Sequence, residues 1–457
     1  MPQRTFASRS WPVVAAACCA LAACSTPAAE PATTLGGFLS AKQIAADERS
    51  PLAAPGGWNA DKDRLLVRVM ARLPAPAALV EAWRRDAVPV AVPGTATVID
   101  DRLVVVHGRA TFVAPLELPG ELARLAGRSS YDLIRCADDR GAVIDVVVPR
   151  APRAWPRWTA IDEPATVQGL PLAAGTGPVP AAAAAPRPWP SPAADLLVAG
   201  VSVEWRPAGL LGGLGMDYAL FDDVVDDRRL EAGDAAAFYA ALAAARGTTP
   251  AAIAAAAGGT TDLIPLIDPA RQWFAAHRGD PVVIDGVARR ATRIEIDGDA
   301  RRGQVGADHY WELEVFADTP PISIDGHVQD RYPVVCCVRE LPDGMPRGET
   351  ISERVRVPGF AFKRYRYPLP EVVVDGHEER PRGGYRSAPL IVAPGVEWIA
   401  PPSARGLSDR LFWIFSGILG ALAALVAFGA WSAARDARRA ERARRAALPE
   451  RIDLPAE

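Results

Sequence analysis

Hydrophobic residues along this chain follow three patterns. Near the C-terminus, Leu411 to Trp431 is an apolar run without a charge, set between Arg410 and an arginine-rich tail. About 20 apolar residues rising 1.5 Å each match a hydrocarbon core about 30 Å thick, so 411–431 is predicted to be a transmembrane helix. Near the N-terminus, Trp11 to Ala23 is shorter, follows Arg4 and Arg9, and has the build of a signal-peptide core over residues 1–23. Between them lie short β-branched and aromatic stretches broken by turns, interleaved with alanine-rich helical stretches.

The middle pattern occurs twice. Ala78 to Arg85 leads into Pro89-Val90-Ala91-Val92-Pro93-Gly94, and Ala270 to His277 leads into Pro281-Val282-Val283-Ile284-Asp285-Gly286. Tyr131 to Asp138 parallels Tyr310 to Asp318, and Val167-Gln168-Gly169 parallels Val357-Pro358-Gly359. Each copy closes on a similar phrase, Leu196-Leu197-Val198 to Trp205 and Leu390-Ile391-Val392 to Trp398. A second register sets Gly108, rather than Gly94, against Gly286. Asp-Gly pairs at 285–286, 297–298, 325–326 and 375–376 suit tight hairpins. The expected fold is therefore α+β: two tandem, duplicated β-barrel-like modules with helical connectors, plus one C-terminal transmembrane helix. The strand order resembles an OB-fold, a likeness of architecture that carries no function.

These patterns divide the chain into a signal peptide (1–23), a flexible tether (24–57), β module 1 (58–205), a helical connector (206–279), β module 2 (280–398), the span (411–431) and a basic cytoplasmic tail (432–457). Residues 25–57 and 170–194 are rich in Pro and Ala and are expected to be extended. Helix starts are expected at Asn59, Asp234, Thr249-Pro250 and Asp268-Pro269, and exits at Gly247, Gly258 and Gly279. Trp205 and Trp398 are expected to be buried, so that truncation to alanine would cost about 3–5 kcal/mol.

The signal peptide ends Leu21-Ala22-Ala23-Cys24-Ser25, which resembles the lipobox of bacterial lipoproteins. The resemblance implies lipidation at Cys24, with ordinary cleavage among Pro27-Ala28-Ala29 as the alternative. Arg435, Arg438, Arg439, Arg442, Arg444 and Arg445 place the C-terminus in the cytoplasm by the positive-inside rule. Export of the N-terminal side gives the same orientation. Most of the chain is then extracytoplasmic.

Composition narrows the function classes. A net charge of −3 and a pI near 6.1 argue against a nucleic-acid surface. Cys136, Cys336 and Cys337 form no C-x-x-C motif and are expected to be small buried hydrophobes. Gly209, Gly212, Gly213 and Gly215 fit neither phosphate-binding spacing. Asp217, Asp222, Asp223, Asp226 and Asp227 lack a calcium-loop pattern and are expected on a solvated helix face, with Leu220, Phe221, Val224 and Val225 turned inward. His107, His277, His309, His327 and His377 form no zinc motif, and His327 and His377 are expected at hairpin tips. Trp155, Trp158 and Trp189 lie among Arg and Pro, where exposed rings could stack on a ligand.

No catalytic, cofactor-binding or metal-binding residue is expected. The expected role is an exported, membrane-tethered, non-catalytic binding or scaffolding protein of the bacterial cell envelope. The expected partners are membrane lipid and other envelope proteins, with no nucleic acid. Two alternatives are an envelope hydrolase whose active site forms only in three dimensions and an accessory subunit of a membrane complex. The stripe Ser416, Gly420 and Ala424 would allow close helix packing in the latter.

Overall fold

The computed structural model describes residues 34–54, 57–90, 101–175, 189–190, 193–324, 327–368, 372–374, 377–379, 385–400 and 404–446. The expected signal peptide, Cys24 and the Pro89–Gly94 strand from Ala91 onward lie outside the described residues. The chain divides into two compact units. The first comprises Met1–Val225, Leu230–Ala244 and Ala275–Asp280, and the second Asp226–Arg229, Ala245–Phe274 and Pro281–Glu457. The stretch 206–279 contributes residues to both units.

In the first unit, β1 (Val104–Glu117), β2 (Ser130–Asp138), β3 (Val143–Val148), β4 (Ala160–Ala174) and β5 (Leu196–Trp205) close into a barrel. Antiparallel pairings join β1 to β2, β2 to β3, β5 to β4 and β4 to β1. A parallel pairing of β3 with β5 completes the ring. Val88–Pro89 adds a short sixth strand parallel to β1. Val106, Ile134, Cys136, Ile144, Val146, Val167 and Val198 form one buried cluster. Leu133, Val147, Leu170, Leu172 and Leu197 belong to another, with Leu39, Ile44, Leu66 and Met70 from N-terminal helices. Side chains alternate across a strand, so each barrel strand supplies both clusters.

That second cluster corrects two expectations. Residues within 24–57 do not all form a tether: Leu35–Ala41 and Ala46–Arg49 are helical, and Leu39, Ile44 and Leu52 are buried. Three large apolar side chains in a proline-rich stretch are enough to dock it on the barrel, since each buried leucine contributes about 1.5–3 kcal/mol. Likewise, residues 170–174 continue β4, with Leu170 and Leu172 fully buried. Asn59 caps the helix Ala60–Arg72 as expected, its side chain accepting from the amides of Asp61 and Lys62.

In the second unit, β6 (Pro281–Glu295), β7 (His309–Ile324), β8 (His327–Val338), β9 (Glu353–Pro368) and β10 (Tyr385–Ala393) form a six-stranded sheet with Glu397–Trp398. β6–β7, β7–β8, β10–β9 and β9–β6 are antiparallel, and β8–β10 is parallel. Its core includes Ile284, Leu313, Val315, Val334, Cys336, Val357 and Ile391. The helix Pro250–Ala257 starts at Thr249 and ends at Gly258, whose φ of 73° suits glycine.

Gly286 is not a hairpin residue, which corrects the reading of Asp285-Gly286. It sits inside β6 opposite Ala317, where a Cβ would fall 2.5 Å from the Phe316 carbonyl oxygen. Gly108 sits inside β1 opposite Asp138, where a Cβ would fall 2.1 Å from the Ala137 oxygen. Each strand has a register shift two residues later, after Ala110 and after Ala288. Pro89, by contrast, lies on a short strand that pairs in parallel with β1, opposite Val105.

Trp205 and Trp398 are half-buried rather than buried. Trp205 pairs with Ala165 and donates its Nε1–H to Glu163 at 2.8 Å. Trp398 pairs with Val355 and donates to Glu353 at 2.8 Å. With only part of each indole removed from water, alanine at either position should cost about 1–3 kcal/mol, below the 3–5 of a fully buried Trp. Urea denaturation of each variant measures this.

The C-terminal helix Ala404–Ala446 runs 43 residues. It is long and apolar enough to cross a membrane, and its apolar window is fully exposed.

Candidate functional site

A cleft of about 360 Å³ opens on the second unit. Arg339 enters it directly after β8, and Arg246 directly after the helix Ala235–Ala245. Thr248, Thr249 and Pro250 open the helix Pro250–Ala257, and Pro394, Gly395 and Val396 follow β10. Leu341 and Pro342 supply apolar wall, and Glu340 is the one carboxylate in the lining. Arg339 is only 7% exposed, with one hydrogen bond from its guanidinium, to the Val305 carbonyl at 3.1 Å. Burial pulls its pKa below the usual arginine value; nearby Glu340 opposes this and the like charge of Arg246 adds to it. Exposed Arg246 lies against Gly306, which a Cβ could not occupy without meeting its Nη1 at 2.4 Å.

Other charged side chains fasten strands. On β2, Arg135 makes a bidentate pair with Asp145 of β3 at 2.9 and 3.0 Å, with both residues almost fully buried. The Arg135 guanidinium lies 5.0 Å from the Trp189 ring centroid and donates to the Pro190 carbonyl. In the second unit, Arg364 of β9 grips Asp227 through Nε at 2.6 Å and through Nη2, and Ser387 donates to the same carboxylate at 3.0 Å. Burial raises the Asp227 pKa, but the hydrogen bonds and charge of Arg364, with Ser387, outweigh it and hold the carboxyl below its ordinary value. On β7, burial raises the pKa of Glu312, with Arg290 at 3.4 Å opposing.

The aspartates do not form a helical face, contrary to expectation. Tyr218–Asp223 is a 3₁₀ turn and Asp227 has a φ of 59°. Phe221 and Val224 are buried, whereas Val225 is 46% exposed. The carboxylates diverge to separate partners. Asp217 accepts from the amides of Trp205 and Ala219, Asp222 from that of Arg153, and Asp226 from that of Arg364. Burial is the main influence raising the pKa of Asp217 and Asp222. Among the described residues, no three His, Cys, Asp or Glu side chains gather closely enough to hold a metal ion.

The glycines at 209–215 surround a one-turn helix, Leu210–Gly213. His107 meets Thr166, His277 meets Asp280, and His309 meets Asp308, so these three are apart. His327 and His377 begin strands, and their side chains lie outside the description. Cys136, Cys336 and Cys337 are buried free thiols. Burial pushes the Cys136 thiol up to about 12 and raises the other two as well, so all three are poor nucleophiles at neutral pH. Trp155 is a core residue, 2% exposed, and Trp189 is spent on Arg135.

The Arg246–Arg339 cleft was not legible in the sequence. Arg246-Gly247-Thr248-Thr249-Pro250 shows a helix exit and a helix start, but no spacing links it to Arg339. The chain matches no protein-family model and no curated protein.

Proposed function

We propose that this chain is an exported, membrane-tethered binding protein of a bacterial cell envelope. Its two OB-like barrels would be displayed outside the cytoplasmic membrane. The observation that carries the reading is the C-terminal helix, whose apolar face no residue of the chain covers among those described. An exposed apolar helix of that length is stable in a bilayer and costly in water. Tail arginines and the N-terminal export pattern support an extracytoplasmic location for the barrels. The stripe Ser416, Gly420 and Ala424 lies on the exposed helix and supports a second reading, accessory subunit of a membrane complex.

The reading includes a duplication of the barrel. Its support is the shared pairing order, the Gly108 and Gly286 positions, the register shift after each, and the two Trp–Glu hydrogen bonds. Gly169 and Gly359 add to it: a Cβ on either would crowd the backbone of the neighbouring strand, at Ala199 and Val392.

Topology is tested by cysteine labelling in intact cells. Asp343→Cys, at an exposed position of the second unit, should react with an impermeant maleimide, and Arg442→Cys should react only after lysis. Cys136, Cys336 and Cys337 are buried and should stay silent. The reverse pattern would overturn the assignment. For the N-terminus, Cys24→Ala should abolish incorporation of a palmitate analogue while the protein stays membrane-bound through 411–431. Undiminished incorporation would refute lipidation at Cys24.

A further inference from the structure

We infer that the cleft between Arg246 and Arg339 binds an oxyanion, the phosphate or carboxylate head of a small ligand. Two guanidiniums of the same unit line one cavity, and neither makes a close ion pair among the described residues, Glu340 acting on Arg339 only at longer range. Arg339 is more than nine-tenths buried, and a single carbonyl accepts from its guanidinium. A buried charge is stable only when paired or fully hydrogen-bonded, and placing a second arginine beside it adds repulsion. An anion between the two would remove that repulsion and take the planar, forked donors that suit carboxylate and phosphate oxygens.

The rest of the lining agrees with a small, singly charged head. Glu340 offsets one arginine, leaving one positive charge for the ligand to balance. Thr248 adds a hydroxyl, and the helix Pro250–Ala257 directs its positive end to the same cleft. Thr249 already serves as that helix's cap, accepting from the Ala252 amide, so the arginines carry the recognition. Leu341, Pro342, Pro394 and Val396 offer apolar surface to the body of a ligand. A volume of about 360 Å³ is at the lower end for small-molecule sites and suits the head of a ligand. The inference does not depend on membrane topology or on Cys24.

The test uses the full chain purified in a non-ionic detergent at constant ionic strength set with chloride. Inorganic phosphate and acetate are titrated separately, with thermal midpoint and hydrogen exchange of residues 246–257 and 339–342 as readouts. At least one anion should raise the midpoint and protect these peptides. Arg246→Gln and Arg339→Gln should each weaken the response about tenfold or more, the loss expected for a charge-assisted hydrogen bond. Glutamine at 339 removes a buried charge while keeping a polar amide, and position 246 is exposed, so both variants should keep the unliganded fold.

A second arm places the chain in nanodiscs of phosphatidylcholine with or without phosphatidylglycerol, in phosphate-free buffer. Protection that needs phosphatidylglycerol and is lost in Arg246→Gln would assign the head to a lipid. Protection in detergent by a soluble anion would assign it to a free ligand. The inference fails if neither arm protects the cleft, or if protection is unchanged in both variants.

Discussion

Replacing Arg135 by methionine should destabilise the first barrel by about 3–5 kcal/mol, the largest single-site effect expected outside its apolar core. Asp145 would then be left 1% exposed with its charged partner gone. Its remaining neighbours on the strand face are apolar, Leu133 and Val147 among them. The loss would exceed the value of the hydrogen bonds, because the uncompensated carboxylate must be neutralised or drawn into water. The double variant Arg135→Met, Asp145→Val should recover most of the stability, since buried ion pairs replaced by apolar residues of similar volume are often neutral. Urea denaturation of the full chain in detergent, with hydrogen exchange on β2 and β3 peptides, distinguishes the outcomes. A single variant as destabilising as the double one would show that Arg135 acts through contacts other than Asp145, such as Trp189 and the Pro190 carbonyl.

Gly108→Ala and Gly286→Ala should each cost about 3 kcal/mol, at the top of the range for overpacking, because the added methyl group meets backbone. The obstructing atoms are the carbonyl oxygens of Ala137 and Phe316, which are fixed by the β1–β2 and β6–β7 ladders. A flexible side chain could swing aside, and a ladder cannot. Hydrogen exchange should rise in the altered sheet. Gly303→Ala is the matched control: it lies in the helix Asp299–Val305 with nothing within 4 Å of its added Cβ. It should be neutral or stabilising by about 0.5–1 kcal/mol. Equal losses at 108, 286 and 303 would mean that close strand approach is not what these glycines serve.

Local signals in the sequence located much of the secondary structure. Asn59, Thr249-Pro250 and Gly258 mark helix ends through groups within a few residues, so no distant contact is needed to read them. The strands containing Tyr131, Val167, Tyr310 and Val357 were legible from β-branched and aromatic runs for the same reason. The reading failed where a distant partner decides. Asp285-Gly286 looks like a hairpin in isolation, yet it lies mid-strand because the Ala317 backbone passes too close for a side chain. The aspartates of 217–227 suit a helix face by spacing. Hydrogen bonds to Trp205, Arg153 and Arg364 pull them into turns instead.

By itself, then, the sequence determined the two-part β pattern, the helix caps and the apolar C-terminal helix, because hydrophobic period and capping chemistry act over short spans. Tertiary structure decided the rest. It closed the first strand set into a barrel, docked Leu39, Ile44 and Leu52 on it, and left Trp205 and Trp398 half-buried. It also brought Arg246 to the same cleft as Arg339. Each of these depends on which strand and helix ends become neighbours, and that is set by the packing of whole faces, which no local run of residues encodes.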